Sequence, residues 1–486
     1  MRVVSMRIRP NMRLACAAVF CALAVGPGVV SSARAQSLVQ ALSTTYNSNP
    51  DLLAQRAVLR QTDETLAQAV ANWRPKISLS VEYNKIEADS VPVATPNRYV
   101  ILNGRTSTLT ITQPLFRGGK TTADTKTAQA NIQAQRATLS DTEQSVLLQA
   151  VTAYADLVRD VGIVDVRRNN VKVLVQQLDA TRERFRVGEL TITDVSQAEA
   201  RLEQAKADLV QAEAQVRVDQ AAFQRAIGVP AGALGDLPLI GALPASEEEC
   251  VALAMDYAPK AVSAQHRITA ASYGVNSAVS ALLPTLNLVG YAQYQQDLQI
   301  PTDQYYQYGV RLQATVPIYQ NGTEWSAIRQ AKELVGQRRN ELDSARRTAA
   351  QNVISFWRNL DSARSRMISF AAQVKANDVA LNGVRQEALV GSRTTLDVLN
   401  AEQELLNSQV NLISAKHDVQ VNYYGVLSGI GRLTARTLGL PVEFYDEEKY
   451  YNEVGSRWIG WGSAGSTPTG GTAGFGTVSS GSGSGK

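Results

Sequence analysis

The chain has 486 residues, with 44% hydrophobic and 6% aromatic content and a formal net charge of +4. Residues 1–35 hold Arg2, Arg7, Arg9, Arg13 and Arg34 and no acid, so the remainder carries −1 and a strongly basic nucleic-acid binder is excluded. Two histidines are few for a metal or acid–base enzyme, and Cys250 alone lies outside that segment, which leaves no intrachain disulfide framework.

In chain order, Arg2 to Arg13 form a positive region, and Leu14 to Val30 is uncharged and mostly apolar. Ala33-Arg34-Ala35 fits the small-x-small cleavage rule, so residues 1–35 read as a signal peptide and Gln36 as the mature start. No later run is long and apolar enough for a membrane helix, so any membrane span is β.

The rest is one unit written twice. Pro50 and Pro75 recur 209 residues later as Pro259 and Pro284. Pro114, Gly119, Gly188, Asp194 and Gly228 recur 203 residues later as Pro317, Gly322, Gly391, Asp397 and Gly431. An internal tandem duplication follows: repeat 1 over 36–230, a Pro/Gly-rich linker over 231–246 and repeat 2 over 247–434.

Each repeat reads helix, two strands, long helix, helix. Pro50 and Pro259 open the first helices, which stop at Pro75 and Pro284. Two strands are expected within 75–115 and two within 284–318, with Pro75, Pro114, Pro284 and Pro317 at their ends. Ile77, Leu79, Val81 and Tyr83 alternate with Ser78, Ser80, Glu82 and Asn84, and Val310, Leu312, Ala314 and Val316 alternate with Arg311, Gln313 and Thr315. Long helices are expected over 119–187 and 322–390, followed by helices over 191–228 and 394–430. Leu157, Val164, Val171, Leu178 and Phe185 recur every seven residues, as do Leu360, Met367, Val374 and Leu381, which implies supercoiled packing on another helix. Gly118-Gly119-Lys120-Thr121 suggests a phosphate loop, but Pro114 stands where its first glycine belongs, and a capping turn is the reading. Residues 435–486 form a C-terminal segment, Gly/Ser-rich and expected to be flexible from about 455.

Four strands cannot close a barrel, and open edges are not tolerated in lipid, so copies must pool strands. The strand pattern gives a polar inner face and an apolar outer one, which describes a conduit. The other reading is a periplasmic or secreted coiled-coil structural protein with soluble β-hairpins.

Arg184-Phe185-x-Val187-Gly188-x-x-x-Ile192-Thr193-Asp194-Val195, echoed by Val390-Gly391-x-Arg393-Thr394-x-x-Asp397-Val398-Leu399, resembles the TolC family of outer-membrane factors over nearly all of the mature chain to about residue 434. The resemblance implies an α+β membrane protein. In it, a homotrimer forms one twelve-stranded outer-membrane barrel, four strands per chain, surrounded by outer-membrane lipid and continued by a coiled-coil periplasmic tunnel. It implies a passive gated conduit, without catalytic residues or cofactor. Its tip would dock on a periplasmic adaptor and an inner-membrane RND or ABC transporter, to export drugs, other small molecules or type I secreted proteins.

Residue by residue, the resemblance assigns Arg393, Thr193 and Asp194 to the periplasmic gate, Gly188 and Gly391 to the tip turns, and Asp397 to an acidic constriction ring. The second ring position is Asn400, and the gate tyrosine position is Ala388. Both departures imply a weaker cation preference and a looser closed state.

Overall fold

The computed structural model describes residues 36–88, 100–235, 237–298 and 303–462. The expected signal peptide lies outside the described residues.

Repeat 1 opens with two helices where the sequence suggests one, α1 (Leu38–Ser48) and α2 (Pro50–Ala71). Asn49 separates them: its side chain accepts from the N–H groups of Asp51 and Leu52, and Pro50 takes the first helical position. Strands β1 (Lys76–Ala88) and β2 (Val100–Arg117) follow, then α3 (Lys120–Arg186) and α4 (Ile192–Ile227). Repeat 2 has the same order: α5 (Glu247–Tyr257), α6 (Pro259–Val279), β3 (Thr285–Gln296), β4 (Gln304–Thr315), α7 (Thr323–Leu389) and α8 (Thr395–Gly429). A short α9 (Lys449–Gly455) closes the described chain. At 67 residues each, α3 and α7 are about 100 Å long.

The strands form one antiparallel sheet in the order β1-β2-β3-β4. Pro75 and Pro284 directly precede β1 and β3. Pro114 does not end its strand: β2 runs on to Arg117, with a bulge between Pro114 and Phe116 in its pairing with β3. Proline has no N–H to give the ladder, and the bulge absorbs that loss. Pro317 stands two residues beyond β4.

Register sorts the sheet into two unlike faces. Leu79, Leu109, Ala292 and Tyr308 form one cross-strand row, and Ile77, Ile111, Gly290 and Val310 the next. On the opposite face the adjacent row is Ser80, Thr108, Gln293 and Gln307. Ile77, Leu79, Val81, Tyr306, Tyr308, Val310 and Leu312 are all exposed in the single chain. An apolar band this wide, backed by a polar face, suits lipid outside and water inside. Among the described residues no helix is long and apolar enough to cross a membrane.

The strand-to-helix junctions use consecutive left-handed residues, Gly118 and Gly119 before α3 and Asn321 and Gly322 before α7. A Cβ at Gly118 would meet the Ser280 carbonyl oxygen at 2.7 Å, so the first copy requires glycine there. The glycine pair is therefore a turn at the base of the sheet.

The helices pack as hairpins, α3 with α4 and α7 with α8, while α2 and α6 lie along α3, and α6 also along α7. The seven-residue stripe is buried at Leu157, Val164, Leu178, Leu360 and Leu381, but Phe185, at the tip, is exposed. Small residues at Ala150 and Ala363 are fully buried and allow close helix approach. The linker does not float: Tyr154 donates its hydroxyl to the Gln36 and Gly235 carbonyls, and Tyr424 donates to Pro238.

The C-terminal segment joins the core through Leu438 and Leu440, with Val442, Tyr445 and Tyr451 packed against it. Residues 455–462, at the start of the stretch expected to be flexible, make specific contacts. Arg74 Nη1 donates to the Arg457 carbonyl at 2.7 Å, and Arg457 Nη1 donates to that of Gly462 at 2.7 Å. The Gly/Ser-rich remainder lies outside the described residues.

Candidate functional site at the hairpin tips

Each long helix stops in the same way. Gly188 has φ 82° and Gly391 φ 79°, a left-handed position that glycine occupies without a Cβ clash. Gly188 N–H donates to the Phe185 carbonyl and Glu189 N–H to that of Arg184. Gly391 and Ser392 repeat these bonds to Ala388 and Glu387. This paired 5→2 and 6→1 closure satisfies the last carbonyls of the helix.

The returning helices start on reciprocal caps. Thr191 N–H and Oγ1 both donate to Asp194 Oδ2, at 2.9 and 2.7 Å, and Asp194 N–H donates back to Thr191 Oγ1 at 3.3 Å. Thr394 and Asp397 repeat this at 3.0, 2.9 and 3.2 Å. These bonds hold both carboxyls below the usual aspartate range. The Thr191 side chain is the larger cause for Asp194, and the Thr394 backbone N–H for Asp397. Both stay ionised at neutral pH, placed at the positive ends of their helices.

Arg393 Nε donates to Glu387 Oε2 at 2.9 Å, across its own turn. Thr193 is exposed on α4. Within one chain Arg393 is therefore occupied by Glu387 and Asp194 by Thr191, and the link among Arg393, Thr193 and Asp194 is not made. Asn400 Oδ1 accepts from Arg201 Nη2 at 3.2 Å, which joins α8 to α4. The position where the resemblance places a second acid is thus an uncharged amide that accepts from an arginine of the other hairpin.

Sequence reasoning missed one further pair of contacts. Arg385 Nη2 lies 3.0 Å from Glu402 Oε1 between α7 and α8, and Arg182 Nη2 lies 3.3 Å from Glu199 Oε1 between α3 and α4. Both residues are displaced by 203 between copies, so the duplication carried the signal. The two pairs differ in burial: the Glu402 side chain is 4% exposed and that of Glu199 55%. Burial pushes the Glu402 carboxyl up, and the Arg385 hydrogen bond and charge pull it down.

The family model described as "Outer membrane efflux protein" matches residues 41–229 and 252–431, one stretch in each repeat. Outer membrane efflux protein BepC of Brucella suis biovar 1 (strain 1330) is 34% identical over 431 residues, which covers 88% of this chain and 92% of that one. Outer membrane protein TolC of Escherichia coli (strain K12) is 25% identical over 85% of each chain. The crystal structure of the Campylobacter jejuni CmeC outer membrane channel has a TM-score of 0.72 and 17% sequence identity, over 92% of this chain and 98% of that one, and shares its fold.

Proposed function

The chain belongs to the outer membrane efflux protein family, and from that premise we propose how it works: three copies close one twelve-stranded barrel, and their hairpins form a tunnel that opens at the Gly188 and Gly391 tips. The protein is an outer-membrane channel-tunnel for efflux and secretion, with its tunnel in the periplasm. The observation that carries the assembly is the four-stranded sheet. It has an apolar face, a polar face and two free edges, and one chain cannot satisfy it.

The closed state forms when Arg393 exchanges Glu387 for the Thr193–Asp194 pair of an adjacent copy. One Asp397 from each copy then rings the entrance. Three carboxylates around a narrow axis attract cations and repel one another. Asn400, held by Arg201, adds no second charge, so cation preference is modest. A periplasmic adaptor, with an inner-membrane RND or ABC transporter, engages the tips and drives them open. A passage with a polar wall rather than a fitted pocket suits both small molecules and unfolded secreted proteins as cargo.

Conductance of the purified protein in planar bilayers tests this reading. Arg393→Ser raises the conductance of the isolated channel, and Asp397→Ala lowers cation selectivity and divalent-cation block. An unaltered closed state in the first variant removes Arg393 from the gate, and unchanged selectivity in the second removes Asp397 from the ring.

A further inference from the structure

The C-terminal segment climbs α2 toward the sheet, one contact at a time. Tyr445 N–H donates to the Tyr46 hydroxyl at 3.0 Å, before α2 begins. Tyr450 Oη donates to Glu64 at 2.7 Å, two-thirds of the way along α2. Arg74 donates to the Arg457 carbonyl beyond the end of α2, just before β1 starts at Lys76. The 22 residues of α2 rise about 33 Å, so this path carries the segment from the middle of the helical body to the base of the sheet.

There the segment is built, not frayed. The Arg74 guanidinium holds the Arg457 carbonyl and also lies 4.7 Å over the Trp458 ring. Arg457 closes the turn by reaching forward to Gly462. The apolar side chains on this closed turn point into solvent: Trp458 is 66% exposed, Ile459 93% and Trp461 98%. A soluble protein gains nothing by fixing two tryptophans and an isoleucine in water.

Their level in the molecule supplies a reason. Four of the five tryptophans of the chain sit where strands meet helices: Trp73 just before β1, Trp325 in the first turn of α7, and Trp458 and Trp461 on this turn. All four are exposed, whereas Trp357 packs against the main core. Indole rings favour the headgroup depth of a bilayer, with the apolar body in the acyl boundary and the N–H in the wet layer. Arg74 and Lys76 stand at the same level, where anionic phosphates complement them.

We propose that residues 457–462 are a membrane-surface anchor: Trp458, Ile459 and Trp461 insert among the phospholipid headgroups of the periplasmic-side leaflet, continuous with the apolar band of the sheet. This rests on the reading of β1–β4 as membrane-spanning. The anchor ties the C-terminal segment, and through α2 the helical body, to the bilayer plane.

The test uses the full-length protein in vesicles of phosphatidylethanolamine and phosphatidylglycerol, with tryptophan emission quenched by phospholipid brominated near the headgroup. Replacing both rings (W458F/W461F) should remove roughly half of the quenchable emission, since two of the four junction tryptophans are lost. W357F should leave it unchanged. Equal quenchable emission in W458F/W461F and wild type overturns the anchor while leaving the barrel intact, because Trp73 and Trp325 still report. No headgroup quenching in wild type would instead overturn the membrane placement of the sheet itself.

Discussion

The duplicated ion pair near the tips provides a controlled experiment within one chain. Arg385→Met leaves Glu402 facing a gap with no cation, its Oε1 deprived of the 3.0 Å partner and its Oε2 already without a hydrogen bond among the described residues. Stranding a buried carboxylate costs about 3–5 kcal/mol when no water can reach it. The Arg385 side chain is 40% exposed, so water enters the vacated space, and about 2 kcal/mol is expected. Arg182→Met breaks the equivalent pair around the exposed Glu199, for which about 0–1 kcal/mol is expected. Amide hydrogen exchange reads both tips at once. Opening around 381–402 should accelerate about thirtyfold in Arg385→Met, with little change around 178–199 in Arg182→Met. Adding Glu402→Gln to Arg385→Met should restore most protection. Burial raises the Glu402 pKa, and loss of Arg385 raises it further, so the folded tip takes up a proton more readily than the open one. The defect is therefore full at high pH and shrinks as pH falls through the raised value. Equal effects of the two arginine variants, or a defect that grows on acidification, would refute the burial argument.

Two further outcomes follow from buried polar groups. Asp63 on α2 is buried, neither carboxyl oxygen has a hydrogen-bond partner among the described residues, and burial pushes its pKa up to about 6 from 3.8. The folded state then binds more protons than the unfolded state between those values, so Asp63 weakens the fold as pH rises through the window. Asp63→Asn should stabilise by about 1 kcal/mol above pH 6 and by little near pH 4, read from denaturant midpoints at each pH. A gain that is larger at pH 4 would reverse the sign and refute it. Tyr154→Phe removes the hydroxyl that joins Gln36 to Gly235 and should cost about 1–3 kcal/mol, seen as faster exchange around 232–240; unchanged protection there would mean that the linker is held by other contacts.

The features legible in the sequence were those written in short-range pattern or in repetition. The glycines and aspartates of the tips announced their turns because the left-handed C′ position and the reciprocal cap each demand particular residues. The alternation in β1 and β4 announced the sheet because one face meets lipid. What stayed hidden depended on distant partners. Nothing local marks Arg393 for Glu387 or Arg201 for Asn400. The extension of β2 past Pro114 was hidden too, since an interior strand can absorb a proline through a bulge that only its neighbour defines. The C-terminal climb along α2 was missed for the same reason: Tyr450 and Arg457 sit in a segment without strong periodicity, and their partners Glu64 and Arg74 lie almost four hundred residues away in sequence.

The central claim is that copies of this chain complete one barrel by joining β4 of each to β1 of the next. Disulfide trapping tests it directly, because Cys250 is buried and is the one cysteine among the described residues. Cysteines would be placed singly on the polar face of β4, at Gln307, Gly309 or Arg311, and of β1, at Ser78, Ser80 or Glu82, in the same chain. For at least one pair, oxidation in membranes should yield a covalent ring that runs as a trimer under denaturing conditions and collapses to monomer on reduction. Membrane-embedded protein that gives no intermolecular bond across the scan, or a ladder of open chains without a trimer limit, would contradict the shared barrel.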